Sequence, residues 1–553
     1  MKTIKVFVDE EIVTKDFLQS SIVKYLSPSI DKKIGFMDFV ETIRFIKTET
    51  CNEKYSVAYS NKILTFTGSD RGLIYALFDF LHKLGWRFFT PKFEKFLLGK
   101  NRFNFHYPFA YSFDPKFEYR LNLWDGLSDE WLVKNGVNAL FSRGISDLLG
   151  GSKKYAGLPA HTFNKFIPPD KYFKSNPEFF ALNQEGERTT KQLCLSNEQM
   201  FEQALSEARG WLRNNPTAQY ISVSQNDCRG ECLCENCKAI KKDGNASDLI
   251  ISFVNKFARA IREEFPKVKV QTLAYHYTID PPKYEIPEEN VVVMVAPIWS
   301  CENHAVTDET CGANKKFVAQ LDGWRKLTDN VYIWKYFNDF SYYLTPFQCL
   351  NSQSENFNYY AKKGVKGFFV EGAHAGETTD FCELKAYLLA KLIYNPEMTK
   401  KEYGELIKEF CVCYYGEVAG KQMLKYLRLL IAVTRDSHYD CYPAPYTVIS
   451  TSPNKKQNDK YFIRKAKLLF DTALKNTESK VKRKRIEKEY IAVLYFSLYT
   501  NFENDMLNAS IAKRKKILEE QAFLFSLIDK YKIKVVRPIT SGILVKKHNR
   551  RIL

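Results

Sequence analysis

The chain lacks several features that would place it in a class at once. No stretch of about 18 or more consecutive apolar residues occurs, so no membrane-spanning helix is expected. The opening residues, "MKTIKVFVDEEIV", are charged and alternating. They hold none of the apolar core, about 7–15 residues long, that marks a signal peptide. The expected compartment is the cytoplasm if this is the native start, and otherwise a leader is missing. Cysteines number 13, an odd count. Outside one cluster they are scattered, which does not describe a disulfide framework in so long a chain. Histidine is scarce at 8 residues, and no H-x-x-x-H or similar ligand pair appears. A stripe of aromatic and basic residues is also missing, so nucleic-acid binding is not expected despite a net charge of +18. The densest basic runs, "KVKRKRIEKEY" and "AKRKKILEEQ", are interleaved with Glu at helical spacing and read as solvated helix faces.

What is present describes a large soluble protein. The chain has 553 residues, 45% of them hydrophobic and 26% charged. That length exceeds one ordinary core unless a large barrel takes up much of it. Aromatics reach 15%, which suits a large core and also platforms for ring-shaped ligands such as sugars.

Three regions are expected. Residues 1–112 read as a small α/β domain. It has strands at "TIKVFVDE" and "KILTFTGSD" and a helix in "RGLIYALFDFLHKLGWRFFTP", where Leu73, Ile74, Leu77, Leu81 and Leu84 recur at helical spacing and Gly85 stands at the C-cap. Residues 113–396 alternate strands with helices. Eight candidate strands are "YRLNLW" (119–124), "NALFSRG" (138–144), "AHTF" (160–163), "YISVSQN" (220–226), "VKVQTLAY" (268–275), "NVVVMVAP" (290–297), "NVYIWKYF" (330–337) and "VKGFFVEG" (365–372). Several are continuous apolar runs, as strands covered on both faces require. Ser196 to Gln199 reads as a capping box that opens a helix to about Asn214, and residues 178–195 read as a hairpin after the weak third strand. The pattern predicts a (β/α)8 barrel. Residues 397–553 read as a helical domain packed on that barrel.

Barrels of this kind carry their active sites at the C-terminal ends of their strands. That rule turns the strand list into a site list. It selects Arg120, Asn122, Trp124 and Asp125; His161; Gln225, Asn226 and Asp227; Tyr275, His276 and Tyr277; Trp299; Trp334, Tyr336 and Asn338; and Glu371. Asp227 and Glu371 are carboxylates set among aromatics. Glycosidic cleavage needs a carboxylic acid to protonate the leaving oxygen and a second group to deal with the anomeric carbon, with aromatic faces to hold the rings. A lone Asn-Asp after a strand more often bonds nearby backbone in a turn. Glu371 is less ordinary, because a carboxylate that ends the apolar run "GFFVE" needs a partner or a function. Trp124, Trp299 and Trp334 also fit a plain core.

The four cysteines of "CRGECLCENC", Cys228, Cys232, Cys234 and Cys237, are spaced C-x3-C-x-C-x2-C. Cys232, Cys234 and Cys237 offer three ligands for a structural zinc, with Cys228, Cys301 or Cys311 as a fourth. The single-residue gap in C-x-C departs from the usual paired knuckles. A redox role lacks the thioredoxin-like context.

Six motifs together carry a family resemblance: "HTFNKFIPPDKYFKSNPEFFAL", "QLCLSN", "ISVSQND" with "CLCENC", "VQTLAYHYT", "YIWKYFNDFSYYLTPF" and "GVKGFFVEGA". The chain resembles family 4838 of the domains of unknown function (DUF4838), which includes the endo-β-N-acetylglucosaminidases of glycoside hydrolase family 163. Its N-terminal part is similar to the small domain that precedes the barrel in β-hexosaminidases and family 67 α-glucuronidases. The resemblance implies a secreted or periplasmic bacterial enzyme that degrades glycans without a cofactor. It also implies a substrate-assisted reaction in which the 2-acetamido oxygen attacks the anomeric carbon. In that reading Asn226 orients the acetamide and Asp227 or Glu371 is the acid. Trp124, His161, Tyr275, Tyr277, Trp299, Trp334 and Tyr336 would bind the sugar. Two positions depart from the family pattern: Lys335, where an acid is expected, and His276, where Gln is expected. An inverting α-glucuronidase, with Arg120 or Lys335 clamping the uronate, and an inactive glycan-binding barrel are the alternatives.

Overall fold

The computed structural model describes residues 4–49, 52–141, 143–374, 376, 380–443, 455–508 and 510–533. The first sheet has five strands in the order Lys5–Val8, Thr42–Lys47, Ile63–Gly68, Tyr55–Ser60 and Phe109–Phe113. Its inner face is covered by the helix Asp70–Leu84, which buries the leucines at helical spacing. Ser69 caps that helix by accepting from the Gly72 N–H, and Gly85 ends it with φ +128°.

The second sheet is the barrel. Its strands are β1 (Tyr119–Leu123), β2 (reduced to Ala139), β3 (Tyr155–Ala156), β4 (Tyr220–Ser222), β5 (Lys269–Ala274), β6 (Val291–Val295), β7 (Val331–Tyr336) and β8 (Gly367–Glu371). Strands β3 to β8 pair in parallel in sequence order, and β8 pairs with β1. Two isolated parallel bridges, Leu121 with Ala139 and Ala139 with Lys153, cross the remaining gap and complete eight positions. Two expected strands differ from this. The run 138–144 contributes one bridge residue in place of a strand. The third strand lies at Tyr155–Ala156, upstream of 160–163, where Phe163–Phe166 is instead a short helix. The expected hairpin is present as Phe180–Leu182 against Arg188–Leu193. The next helix, Glu198–Arg213, is capped by Asn197, which accepts from the Met200 N–H. The cap is therefore one residue later than the sequence suggests.

Four tyrosines close the N-terminal end of the barrel. Tyr119, Tyr155, Tyr220 and Tyr332 come from β1, β3, β4 and β7, and their ring centroids lie 5.1–6.3 Å apart. Contact between β4 and β7 side chains, which are not neighbours in the sheet, shows that these rings point inward. Strand alternation then sends Trp334 and Tyr336 inward and Lys335 outward. Lys335 is 1% exposed and pairs with Glu302 at 2.6 Å. Burial holds the Glu302 carboxyl above its usual range even beside that lysine. The C-terminal region is helical, from Lys400–Tyr415 through Ile511–Lys530, and no helix among the described residues is long and apolar enough to cross a membrane.

The thin seam at β2 is held from the N-terminal domain. Glu53 accepts from both Asn138 Nδ2, at 3.0 and 3.1 Å, and the Arg120 guanidinium. Arg120 is fully buried and also donates to the Gly136 carbonyl at 2.6 Å. Burial pushes the Glu53 carboxyl up, but Arg120, Arg71 and the Asn138 amide outweigh it and leave it below the ordinary value of 4.5. Glu53→Ala leaves Arg120 buried and unpaired, which is expected to cost about 3–5 kcal/mol in denaturant unfolding. Because the folded carboxyl is lowered, its stabilisation is present above the unfolded value and is lost as pH falls through the folded one. The stability gap between wild type and Glu53→Ala should therefore narrow in acid.

Candidate active site at the barrel mouth

The mouth is built from residues that follow the strands. Asp227 lies past the end of β4 and Glu371 is the last residue of β8, so they stand on opposite sides of an eight-position ring. Glu371 is gripped at both oxygens. Trp334 Nε1 donates to Oε2 at 2.7 Å, and His374 Nε2 lies 2.9 Å from Oε1. Indole only donates, so a proton carried by Glu371 sits on Oε1, where His374 can share it. Tyr275 donates its hydroxyl to Asp227 Oδ1 at 3.0 Å, and Asp227 itself is exposed. Burial raises the Tyr275 phenol and Asp227 raises it further, which keeps Tyr275 a donor.

Both carboxylates act on a common neighbour. The Tyr442 phenol is pushed up by burial and then by Cys441, Glu371 and Asp227. Tyr336 is raised by burial and then by Glu371 and Tyr275. The two acids, Tyr275, Tyr336 and Tyr442 are therefore within electrostatic reach of one another. Trp299, at 55% exposed, lies at the rim 6.2 Å from the His276 ring. An aromatic face this open is not core. Trp124 packs flat against the backbone after β8, where a Cβ on Gly372 would come within 2.0 Å of its ring. Among the described residues, its Nε1 is buried without a hydrogen bond, and so are His276 Nδ1 and Gln225 Oε1. His161 and His276 both adopt left-handed φ, at 55° and 52°. Such strain in a side chain with a Cβ concentrates at functional sites. His161 holds the Gln225 carbonyl at 2.9 Å and its ring lies 6.0 Å from Tyr275.

Two expected site residues are placed elsewhere. Asn226 faces away from the mouth: its Oδ1 accepts from the Asn164 N–H at 3.1 Å and its Nδ2 donates to the Lys191 carbonyl at 2.8 Å. With both amide ends on backbone, it braces the loop and is not placed to orient an acetamide. Tyr277 is turned toward Glu231 and Cys228, the charges that act on it after burial. Neither cation suggested as a uronate clamp reaches the mouth, because Arg120 is committed to Glu53 and Lys335 to Glu302.

Sequence reasoning missed three residues. His374 follows Glu371 by three residues and was readable as its partner from that spacing. Tyr442 comes from the C-terminal region, in which no motif pointed to the barrel. The third is Cys194, from the "QLCLSN" hairpin strand, which completes the cysteine cluster. The thiols of Cys194, Cys232, Cys234 and Cys237 all lie within 4.8 Å of one another. Cys194 is 3.7 Å from Cys234 and 3.9 Å from Cys237, near the edge of about 3.8 Å that a tetrahedron with zinc–sulfur bonds of about 2.3 Å requires. The expected fourth ligands, Cys228, Cys301 and Cys311, are not part of this group. Four thiolates fit zinc, which would tie the hairpin to the loop that follows Asp227. Cys194→Ser is expected to lower the zinc content of the purified chain by one equivalent and to lower its melting temperature.

Residues 95–428 match the family described as "Domain of unknown function (DUF4838)". No curated protein matches the chain in sequence. Among solved structures, similar ones include a GH138 enzyme targeting pectin rhamnogalacturonan II, at 11% identity and TM-score 0.37, covering 97% of this chain and 75% of that one. A GH89 protein from Clostridium perfringens, solved with GlcNAc-α-1,4-galactose, shares 10% identity at TM-score 0.47, covering 94% and 66%. A β-N-acetylhexosaminidase from Bacteroides fragilis shares 13% at TM-score 0.38, covering 74% and 91%. Similarity this distant carries no information on substrate.

Proposed function

This chain belongs to the DUF4838 family, its match spanning more than half the sequence, and from that premise we propose that it is a glycoside hydrolase acting on β-linked N-acetylhexosamine glycans. The observation that carries the reading is the pair of carboxylates at opposite strands of one ring, Asp227 held by Tyr275 and Glu371 held by Trp334 and His374. The unpaired polar atoms of Trp124, His276 and Gln225 support it. Buried groups without partners are costly, and sugar hydroxyls or an acetamide would satisfy them. Trp299 supplies an open face for a ring, whereas Trp334 is buried against Phe369.

With the Asn226 amide committed to backbone, the roles fall to the two acids. Asp227, held by Tyr275, accepts the acetamide N–H and stabilises the positive charge that develops as the acetamide oxygen attacks the anomeric carbon. Glu371 donates the Oε1 proton to the leaving oxygen as the glycosidic bond breaks. His374 orients that proton. Glu371, now a carboxylate, then takes a proton from the water that opens the cyclic intermediate, which restores both acids with retention. The chemistry uses side chains and substrate alone. The α-glucuronidase alternative loses support because neither proposed clamp reaches the mouth.

Aryl N-acetyl-β-glucosaminide, a complex N-glycan and an aryl α-glucuronide form the test panel. The first or second is expected to be cleaved. Glu371→Gln is expected to lower kcat by about 10²–10⁴-fold, as loss of general acid catalysis does. Asp227→Asn should fall comparably. Successive fluorination of the substrate's N-acetyl group should slow the wild type, because it weakens the nucleophilic oxygen. Undiminished cleavage in both variants would reject the assignment. Binding of the glycan without any turnover would favour the inactive-barrel reading.

A further inference from the structure

A second cluster of metal-ligating side chains lies outside the mouth. Cys301, His304, Cys311 and His438 each offer a ligand atom within 4.8 Å of the others. They come from three separate stretches. Cys301 and His304 are on the loop after β6, Cys311 is the N-cap of the helix Gly312–Leu327, and His438 follows the helix Glu417–Thr434. Cys301 Sγ lies 3.3 Å from His304 Nδ1, and Cys311 Sγ lies 3.4 Å from His438 Nδ1. A tetrahedral zinc with bonds of about 2.3 Å to sulfur and about 2.05 Å to nitrogen sets those edges near 3.6 Å. The two imidazoles lie side by side, with centroids 4.3 Å apart and planes at 27°.

Two unrelated thiol–imidazole hydrogen bonds would leave the pairs independent, whereas all four ligand atoms converge within 4.8 Å of one another, and the outer contacts hold them there. His304 Nε2 lies 2.9 Å from the Arg435 carbonyl. A carbonyl only accepts, so Nε2 carries the proton and Nδ1 turns its lone pair to the centre of the cluster. Metal-bound histidines are held by an outer partner in this way. Both thiols are buried, Cys311 completely. Cys301 is positioned from behind, its N–H donating to Asn314 Oδ1 at 2.9 Å, and Asn314 in turn holds the His304 and Ala305 carbonyls. Two soft sulfurs and two imidazole nitrogens in a closed tetrahedral set select zinc in a structural role.

We infer that Cys301, His304, Cys311 and His438 form a Cys2His2 zinc site that staples the segment after the helix Glu417–Thr434 onto the barrel mouth. The segment runs along the same loop. Asn303 Nδ2 donates to the Thr434 and Ser437 carbonyls at 2.6 and 2.8 Å, and the Glu302 N–H donates to the Tyr439 carbonyl at 2.9 Å. The Phe340 N–H then donates to the Cys441 carbonyl at 2.8 Å. The next residue is Tyr442, the neighbour shared by Asp227 and Glu371. The staple thus sets the position of one wall of the mouth from a region distant in sequence.

The test is elemental analysis of the full-length chain purified under reducing conditions, with His438→Ala and Cys311→Ser alongside. His438 is exposed, so its removal leaves no core cavity. Each variant is expected to hold one zinc equivalent per chain fewer than wild type, whether or not the four-thiol cluster is filled. Cobalt reconstitution adds a second readout: the wild type should show d–d bands of a mixed sulfur–nitrogen site that His438→Ala abolishes. Equal metal content in wild type and both variants would overturn the inference. So would a Cys301–Cys311 disulfide in the non-reduced peptide map of the wild type.

Discussion

Closure of the barrel rests on Glu53. Between β1 and β3 the sheet is carried by a single residue, Ala139, bridged on each side. Two backbone bridges are too little to hold a ring against thermal opening. The missing strength comes from side chains. Asn138 Oδ1 accepts from the Arg120 N–H at 2.8 Å, the Asn138 carbonyl accepts from the Lys153 N–H at 2.9 Å, and Glu53 joins Asn138 to the Arg120 guanidinium. Three strand positions and the N-terminal sheet thereby share one buried polar knot. A partly satisfied knot of this kind is worse than none, so the N-terminal domain is part of the barrel's structure and not an appendage.

With the ring closed, its two ends differ in kind. The N-terminal end is filled by four tyrosines. Tyr220 and Tyr332 share a hydrogen bond at 2.9 Å and Tyr332 reaches Glu118 at 2.6 Å, whereas the Tyr119 and Tyr155 hydroxyls are buried with no hydrogen bond among the described residues. Aromatic rings fill the taper and leave no charge inside it. The C-terminal end carries the charge and the strain. It keeps two carboxylates, an exposed tryptophan, two histidines in left-handed backbone and buried polar atoms without partners among the described residues. Polar cost and strain collect where a ligand can relieve them.

Most of the barrel was legible in the amino-acid order for one physical reason. Strands covered on both faces must be continuously apolar, as "VVVMV" and "GFFVE" are, and such runs cannot be mistaken for loops. β2 and β3 escaped because one or two residues of pairing leave no pattern to read. Of 138–144 it is Ala139 that joins the sheet, and Ala160 and Phe163 are buried in the core outside it. In the site, Glu371 stood out because a carboxylate ending an apolar run is rare, and Trp334 and Tyr336 followed from their place at the end of a strand. Asn226 misled because residue type says nothing about where an amide points, and both of its ends turn out to be held by backbone. Cys194 and His438 escaped for a different reason. Each cluster takes a ligand from an element far along the chain, and sequence proximity carries no signal of that.

The buried charges around the mouth follow from the same need for fixed geometry. Lys335 with Glu302 and Lys385 with Asp380 are nearly inaccessible pairs. A buried pair of this kind stabilises a fold poorly compared with apolar residues of the same size, yet removing one partner is severe. Their positions explain their presence. Lys335 lies between the inward-facing Trp334 and Tyr336, and Glu302 lies between Cys301 and Asn303 in the loop that grips the Tyr439 backbone. Asp380 accepts from the Phe347 N–H at 3.0 Å and so ties the loop after β8 to the loop after β7. Each pair locks a segment that carries or backs a residue of the mouth. An apolar contact would tolerate sliding by an ångström, whereas a desolvated ion pair does not. The reaction proposed for Asp227 and Glu371 depends on one group holding the acetamide and the other reaching the leaving oxygen of the same sugar, and that requirement is what makes rigid, costly pairs preferable to greasy packing around this rim.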